Sequence, residues 1–190
     1  MNALPGSHVQ RGEMATDARP RLQNQEMYQP RLRPAVRALM IDPSDRVLLI
    51  RHSFPDWTGW LLPGGGVENH EDQHTALLRE LAEEVGPPEV FLGPPVWHRR
   101  RLSPNRRDGY DGQEETVFLV PCYEFEIAPS MTPAELEADG IVEHRWWSAD
   151  ELAETEESIH PFTIHELVVQ VLEFGAPEVV PLIDETDRRH

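Results

Sequence analysis

The chain has 190 residues, a formal net charge of −17 at pH 7 and 39% hydrophobic residues, which suits one domain with a core and some length left for tails. That charge excludes binding along a nucleic acid polymer, whose phosphates would repel it, and suits a protein that recruits divalent cations. Cys122 is the sole cysteine, so an intrachain disulfide is excluded and a cytoplasmic chain is expected.

No apolar run approaches the ~20 residues of a membrane helix, and no apolar h-region marks a signal peptide. Residues 1–33 are polar and aperiodic, and read as a flexible N-terminal arm. Order is expected from Pro34. "AVRALMI" (35–41) and "RVLLIRH" (46–52) read as strands joined by the turn "DPSD". "GWLLPGGG" (59–66) reads as a short strand entering a glycine loop, and residues 70–85 as a helix. Residues 89–101 look extended, and 102–113 read as a loop. "ETVFLVPCYEFEI" (115–127) reads as a strand interrupted by Pro121, at an edge or a bulge, with Cys122 in the core. "VEHRWWS" (142–148) is another strand. "SADEL" starts a short helix, with Ser148 as N-cap and Glu151 three residues on. Residues 162–174 form a helix whose inner face is Ile164, Leu167, Val168, Val171 and Leu172, and a loose tail follows over 175–190. Mixed strands and helices without strict alternation imply a mixed sheet with helices packed on it.

The helix "RELAEEVG" (79–86) holds Glu80, Glu83 and Glu84. Leu77, Leu78, Leu81, Ala82 and Val85 recur at helical spacing and are expected to face inward, with the three carboxylates on another arc. Side chains three and four apart are neighbours, so these carboxylates can share hard cations such as Mg²⁺ or Mn²⁺. Alone, the pattern also fits a solvated acidic face. The upstream "LPGGGVENHE" (62–71) shifts the balance, because glycines let a ligand approach the main chain just before a helix N-terminus.

Gly65, Glu71 and Arg79-Glu80-Leu81-Ala82-Glu83-Glu84-Val85-Gly86 together resemble the Nudix box, G-x5-E-x7-R-E-U-x-E-E-x-G-U, where U is bulky and aliphatic. The match over 65–87 departs at Pro87, where the last U is expected, and His70 stands where these proteins often carry glycine. With the flanking strands, the resemblance spans about 34–172, within a domain expected over 34–174. It implies an α/β (α+β) fold, an α/β/α sandwich around a mixed β-sheet. It implies a metal-dependent hydrolase, using Mg²⁺ or Mn²⁺, that cleaves a nucleoside diphosphate linked to another moiety: a nucleoside triphosphate, ADP-ribose, a dinucleoside polyphosphate or a nucleotide sugar. By that resemblance Glu83 and Glu84 are the main metal ligands, Glu80 is a third ligand or holds a metal-bound water, and Gly65 offers its carbonyl. Arg79 orients the glutamates, and Glu71 supports loop and helix. The general base is left among Glu80, Glu114, Glu115, Glu135, Glu137 and Glu143. The alternative is a domain that senses a nucleotide without cleaving it, although such domains usually have an eroded box.

Five arginines in "HRRRLSPNRR" (98–107) read either as a phosphate clamp, with Arg101 as the candidate contact, or as a solvated strand end. Trp60 and one of Trp146 and Trp147 are expected in the core. Trp57, in the polar "FPDWTG" turn, is the candidate for stacking on a base. His52, His70 and His74 read as surface histidines. The expected partner is a small nucleotide substrate, with no membrane and no nucleic acid polymer, and the length also suits a homodimer.

Overall fold

The computed structural model describes residues 29–86, 89–102, 109–123 and 125–185. Most of the arm, Pro87, loop positions 103–108 and the last five residues of the tail lie outside the described residues. The elements run β1 (Leu32–Ile41), β2 (Val47–Phe54), β3 (Trp57–Leu61), α1 (Gln73–Glu84), β4 (Pro95–Leu102), β5 (Gly112–Pro121), α2 (Pro133–Ala138), β6 (Ile141–Trp147), α3 (Ala149–Glu154), β7 (Ile159–His160), α4 (Ile164–Phe174) and β8 (Leu182–Asp184).

The strands form one mixed sheet in the order β7-β3-β2-β1-β5-β4-β8, with β6 paired to β2. β1 and β2 meet as the expected antiparallel hairpin, while β1 and β5 run parallel. Alternation along β1 divides the core. Val36, Ala38 and Met40 pack against Leu77, Leu81 and Val85 of α1 and its end. Leu39 lies on the opposite face with Trp97, Val117 and the inner residues of α3 and α4, Leu152, Ile164, Val168 and Val171. The sheet is thus sandwiched between α1 and the α3–α4 pair. Burying each large aliphatic side chain contributes about 1.5–3 kcal/mol. Trp60 and Trp147 are the buried pair, meeting edge to face at 5.1 Å.

Several expectations are corrected. The first strand among the described residues begins at Leu32, ahead of Pro34. β5 lies in the sheet interior between β1 and β4 and ends at Pro121, because proline cannot donate the next ladder bond. Cys122 therefore falls just beyond the strand and is half-buried. The tail from Gly175 is not all loose: residues 182–184 add a parallel strand to β4. The helices α3 and α4 form as expected, α3 with the full Ser148–Glu151 capping box. Among the described residues no helix is long and apolar enough to cross a membrane.

Candidate active site

α1 starts three residues later than the sequence suggests, because the Asp72 side chain caps it by accepting the Thr75 amide at 2.7 Å. Gly86, at φ 68°, follows its last turn. Along the helix Ala76, Leu77, Leu81 and Glu84 are buried, while Leu78 is 44% exposed and Ala82 is also exposed. The expected inner face is corrected: Leu78 and Ala82 leave it, and a carboxylate enters it.

Arg79 is the hub on the solvent side. Its guanidinium donates to Glu71 at 2.8 Å, Glu80 at 2.9 Å, Glu83 at 3.1 Å and the Gly66 carbonyl at 3.0 Å. These bonds hold Glu71 below the usual carboxylate range, as does the Glu68 amide that donates to it at 2.7 Å. The same carboxylates raise the pKa of Arg79. Glu80 is pushed upward by burial, with Arg79 offsetting part of the effect. Its carboxylate lies against the Gly65 Cα, where an added Cβ would come within 2.5 Å of it.

Glu84 is held differently, by the glycine loop. It is only 6% exposed and takes one hydrogen bond among the described residues, from the Gly64 amide at 2.7 Å. Burial pushes its pKa up to about 7, against the pull of Arg37 and the Gly64 amide. Gly64 sits at φ 122°, a conformation a side chain would resist. The Gly65 carbonyl accepts the Val36 amide at 2.9 Å, so one lone pair stays free for another partner. Among the described residues no three His, Cys, Asp or Glu side chains converge on one ion-sized point. Arg79 engages Glu80 and Glu83, while the Gly64 amide holds Glu84. The donor set is nevertheless that of a hard-cation site, oxygen only and carboxylate-rich, with one buried carboxylate lacking a cationic hydrogen-bond partner.

His70 adopts φ 80°, the left-handed backbone in which glycine is usual, so the loop bend is kept despite the side chain. His52 is 6% exposed, which corrects its assignment to the surface; Nδ1 donates to the Asp139 carbonyl at 3.3 Å. Burial, with Arg37 nearby, lowers its pKa to about 4. His144 Nε2 donates to the Glu84 carbonyl at 2.9 Å.

The other side of the glycine loop is cationic. Alternation places Arg33 and Arg37 of β1, Glu115 of β5, and Arg99 and Arg101 of β4 on one face of the sheet. Arg37 donates to the Leu62 carbonyl at 3.1 Å and to the Gly64 carbonyl, and pairs with Glu115 at 3.4 Å. Arg99 bridges Glu115 at 3.0 Å and Glu185 at 2.7 Å, all three nearly inaccessible. Burial alone would raise the Glu115 pKa, but Arg37 and Arg99 hold it below the usual range. Arg33 and Arg101 flank Gln113 from opposite strands, and neither has a carboxylate partner among the described residues. The Arg33 guanidinium lies over Gly66.

The carboxylates named as general-base candidates separate. Glu114 pairs with Arg100 at 2.7 Å, Glu143 pairs with Arg51 at 3.3 Å, and Glu135 is locked in the capping box of α2. Glu115 is committed to its arginines, and Glu137 is exposed on α2. Trp57 is half-buried at the start of β3, stacked with Phe54 at 6.4 Å and tilted against His160 at 5.3 Å, rather than in an open turn. A cleft of about 340 Å³ opens beside Glu83, lined by Ser130, Met131, Glu135 and Asp139. Sequence reading missed Arg37 and Glu185. A charged residue inside the apolar run "AVRALMI" was the available signal for Arg37; a lone glutamate near the chain end gave none.

A family model described as NUDIX domain matches residues 31–167. An RNA pyrophosphohydrolase of Caulobacter vibrioides is 32% identical over 165 residues, covering 76% of this chain and 87% of the relative. Nudix hydrolase 25 of Arabidopsis thaliana is 30% identical over 140 residues, covering 68% of this chain and 79% of the relative. A solved NUDIX hydrolase from Nitrosomonas europaea superposes with a TM-score of 0.57 at 18% identity, over 77% of this chain and 91% of that one, a likeness of fold.

Proposed function

The chain belongs to the Nudix family of pyrophosphohydrolases, and from that premise we propose that it uses Mg²⁺ or Mn²⁺ to cleave a nucleoside diphosphate linked to another moiety. The observation that supports the metal dependence is Glu84: a carboxylate buried to 6% exposure beside Glu80, with an amide but, among the described residues, no arginine donating to it. Burying such a charge is costly unless a cation joins it. Glu80, Glu83, Glu84 and the Gly65 carbonyl are the donors that would hold the ion. A divalent ion there would neutralise pyrophosphate charge and lower the pKa of the attacking water.

The protein's own groups do the rest. Arg79 holds Glu71, Glu80 and Glu83 apart from one another's repulsion and ties them to the loop through Gly66. Arg101 and Arg33, cations on the adjoining sheet face without carboxylate partners among the described residues, would take the outer phosphate oxygens by bidentate bonds. Trp57 is kept as a base-stacking contact at the rim. With Glu114, Glu115, Glu135 and Glu143 engaged elsewhere, Glu80 is the favoured base, since burial raises its proton affinity and Arg79 orients it.

The name of the Caulobacter relative favours a second reading, in which the substrate is the 5′ end of an RNA. The charge of −17 opposes contact along a polymer, so in that case only the terminal phosphates would be gripped. A hydrolysis screen over nucleoside triphosphates, ADP-ribose, dinucleoside polyphosphates, nucleotide sugars and 5′-triphosphorylated RNA, with Mg²⁺ and with Mn²⁺, tests the proposal. Release of phosphate, pyrophosphate or a nucleoside monophosphate from one class supports it. Micromolar binding without turnover of any substrate would replace it with the sensing alternative.

A further inference from the structure

Beyond the Nudix motif, the structure carries a chain of ion pairs that crosses the sheet and ends at the glycine loop. Arg37 grips the carbonyls of Leu62 and Gly64, and the Gly64 amide in turn holds Glu84. Arg37 is itself placed by Glu115, Glu115 by Arg99, and Arg99 by Glu185 from the segment just after β8. Arg99, Glu115 and Glu185 are 4%, 5% and 4% exposed. The Glu185 amide also donates to the Arg100 carbonyl at 2.8 Å, so the backbone fixes where its carboxylate sits.

We propose that Arg37 is a positioning residue for the metal-binding carboxylates, and that Glu185, near the C-terminus, completes the ion-pair chain that sets it. The proposal rests on the metal-dependent reading above. A planar guanidinium can serve two carbonyls and a carboxylate at once, and it fixes the loop on either side of the Gly64 amide, just before the Gly65 carbonyl. Arg99 needs two carboxylates. Without Glu185 its full charge falls on Glu115, which is then drawn from Arg37. Groups in the shell outside metal ligands typically change metal affinity or activity by about 10–100-fold when altered.

The test uses Arg37→Gln, Glu185→Gln and the double variant; glutamine is near-isosteric with glutamate, and at 37 it removes the charge and most of the donors. Mn²⁺ alone is titrated without substrate and followed by electron paramagnetic resonance, and steady-state rates are measured on the substrate class found in the screen. Arg37→Gln is expected to weaken Mn²⁺ binding about tenfold and lower kcat up to about 100-fold, with KM for substrate nearly unchanged. Glu185→Gln is expected to do the same less strongly, and the double variant to be no worse than Arg37→Gln, because both act along one path. A loss in the double variant equal to the product of the single losses overturns the chain. A raised KM with unchanged Mn²⁺ binding overturns the positioning role, since it would put Arg37 on the substrate. Should Arg37→Gln not fold, Arg37→Lys replaces it. One ammonium cannot serve all three partners, so wild-type Mn²⁺ binding and turnover in that variant overturn the proposal. An inactive wild type that still binds Mn²⁺, more weakly in Arg37→Gln, would defeat the hydrolytic reading and leave this inference standing.

Discussion

The two sides of the glycine loop carry opposite charge excesses. On the helix side one guanidinium, Arg79, serves Glu71, Glu80 and Glu83, with Glu84 left to an amide. On the sheet side Arg37 and Arg99 share Glu115 and Glu185, and Arg33 and Arg101 pair with no carboxylate among the described residues. Neither side is electrically complete. The first lacks cations and the second lacks anions, and under the proposed function a metal–pyrophosphate complex would supply both. The chain is strongly acidic overall, yet arginines gather on this face of the sheet, which net charge alone conceals.

The largest expected effect breaks the helix side. Glu84→Gln is predicted to lose at least ~100-fold in kcat, since a ligand and its charge disappear. The same substitution is predicted to stabilise the metal-free protein. The native pKa near 7 lies above the ordinary carboxylate value, so the native state holds its proton longer than the unfolded chain. Stability from this group is present at low pH and is lost as pH rises through about 7. At pH 8 the glutamine variant should therefore gain about 2 kcal/mol in urea unfolding. Unchanged turnover, or a loss of stability, would contradict this.

Beneath the loop, His52 titrates in the opposite sense. Its native pKa of about 4 lies below the ordinary 6.5, so between these values the unfolded chain binds the proton and the folded one does not. Stability is full above pH 6.5 and is lost as pH falls toward 4. Wild type is expected to lose about 2 kcal/mol from this group between pH 7 and 5. Denaturation curves of His52→Asn at the two pH values should lack that loss, and an equal loss in both proteins would refute the assignment.

On the sheet side, Arg101→Gln should raise KM about tenfold with kcat little changed, because a phosphate contact made equally in ground and transition states is removed. A fall in kcat at constant KM would move Arg101 from binding into the chemistry. The smallest effect lies in the loop bend between the two sides. His70→Gly should stabilise the fold by about 1 kcal/mol, since His70 sits at φ 80°. Thermal unfolding decides it, and a lower Tm would contradict the strain argument.

The helix side was legible in the sequence because its partners are local. Glycines, the Glu71 and Arg79 spacing and the glutamate triplet all fall within one loop and one helix. Even the burial of Glu84 was encoded there, since position 84 lies three residues after Leu81 and seven after Leu77, on their arc; only its charge argued against it. The sheet side was not legible. Arg37 meets Glu115 and Arg99 meets Glu185 across strands distant in sequence, and such pairings leave no periodic trace. β7 and β8 are too short to show alternation, being two and three residues long. His52 was misplaced because a polar residue at a strand end reads as solvent-facing until β6 is seen to cover it.

The most direct measurement of the opposed charge excesses is Mn²⁺ binding, in the absence of nucleotide, to wild type, Glu84→Gln and Arg101→Gln. The account predicts saturable binding to wild type, at least ~10-fold weaker binding to Glu84→Gln, and no change in Arg101→Gln. Equal binding by wild type and Glu84→Gln would contradict the assignment of the helix side as the metal site.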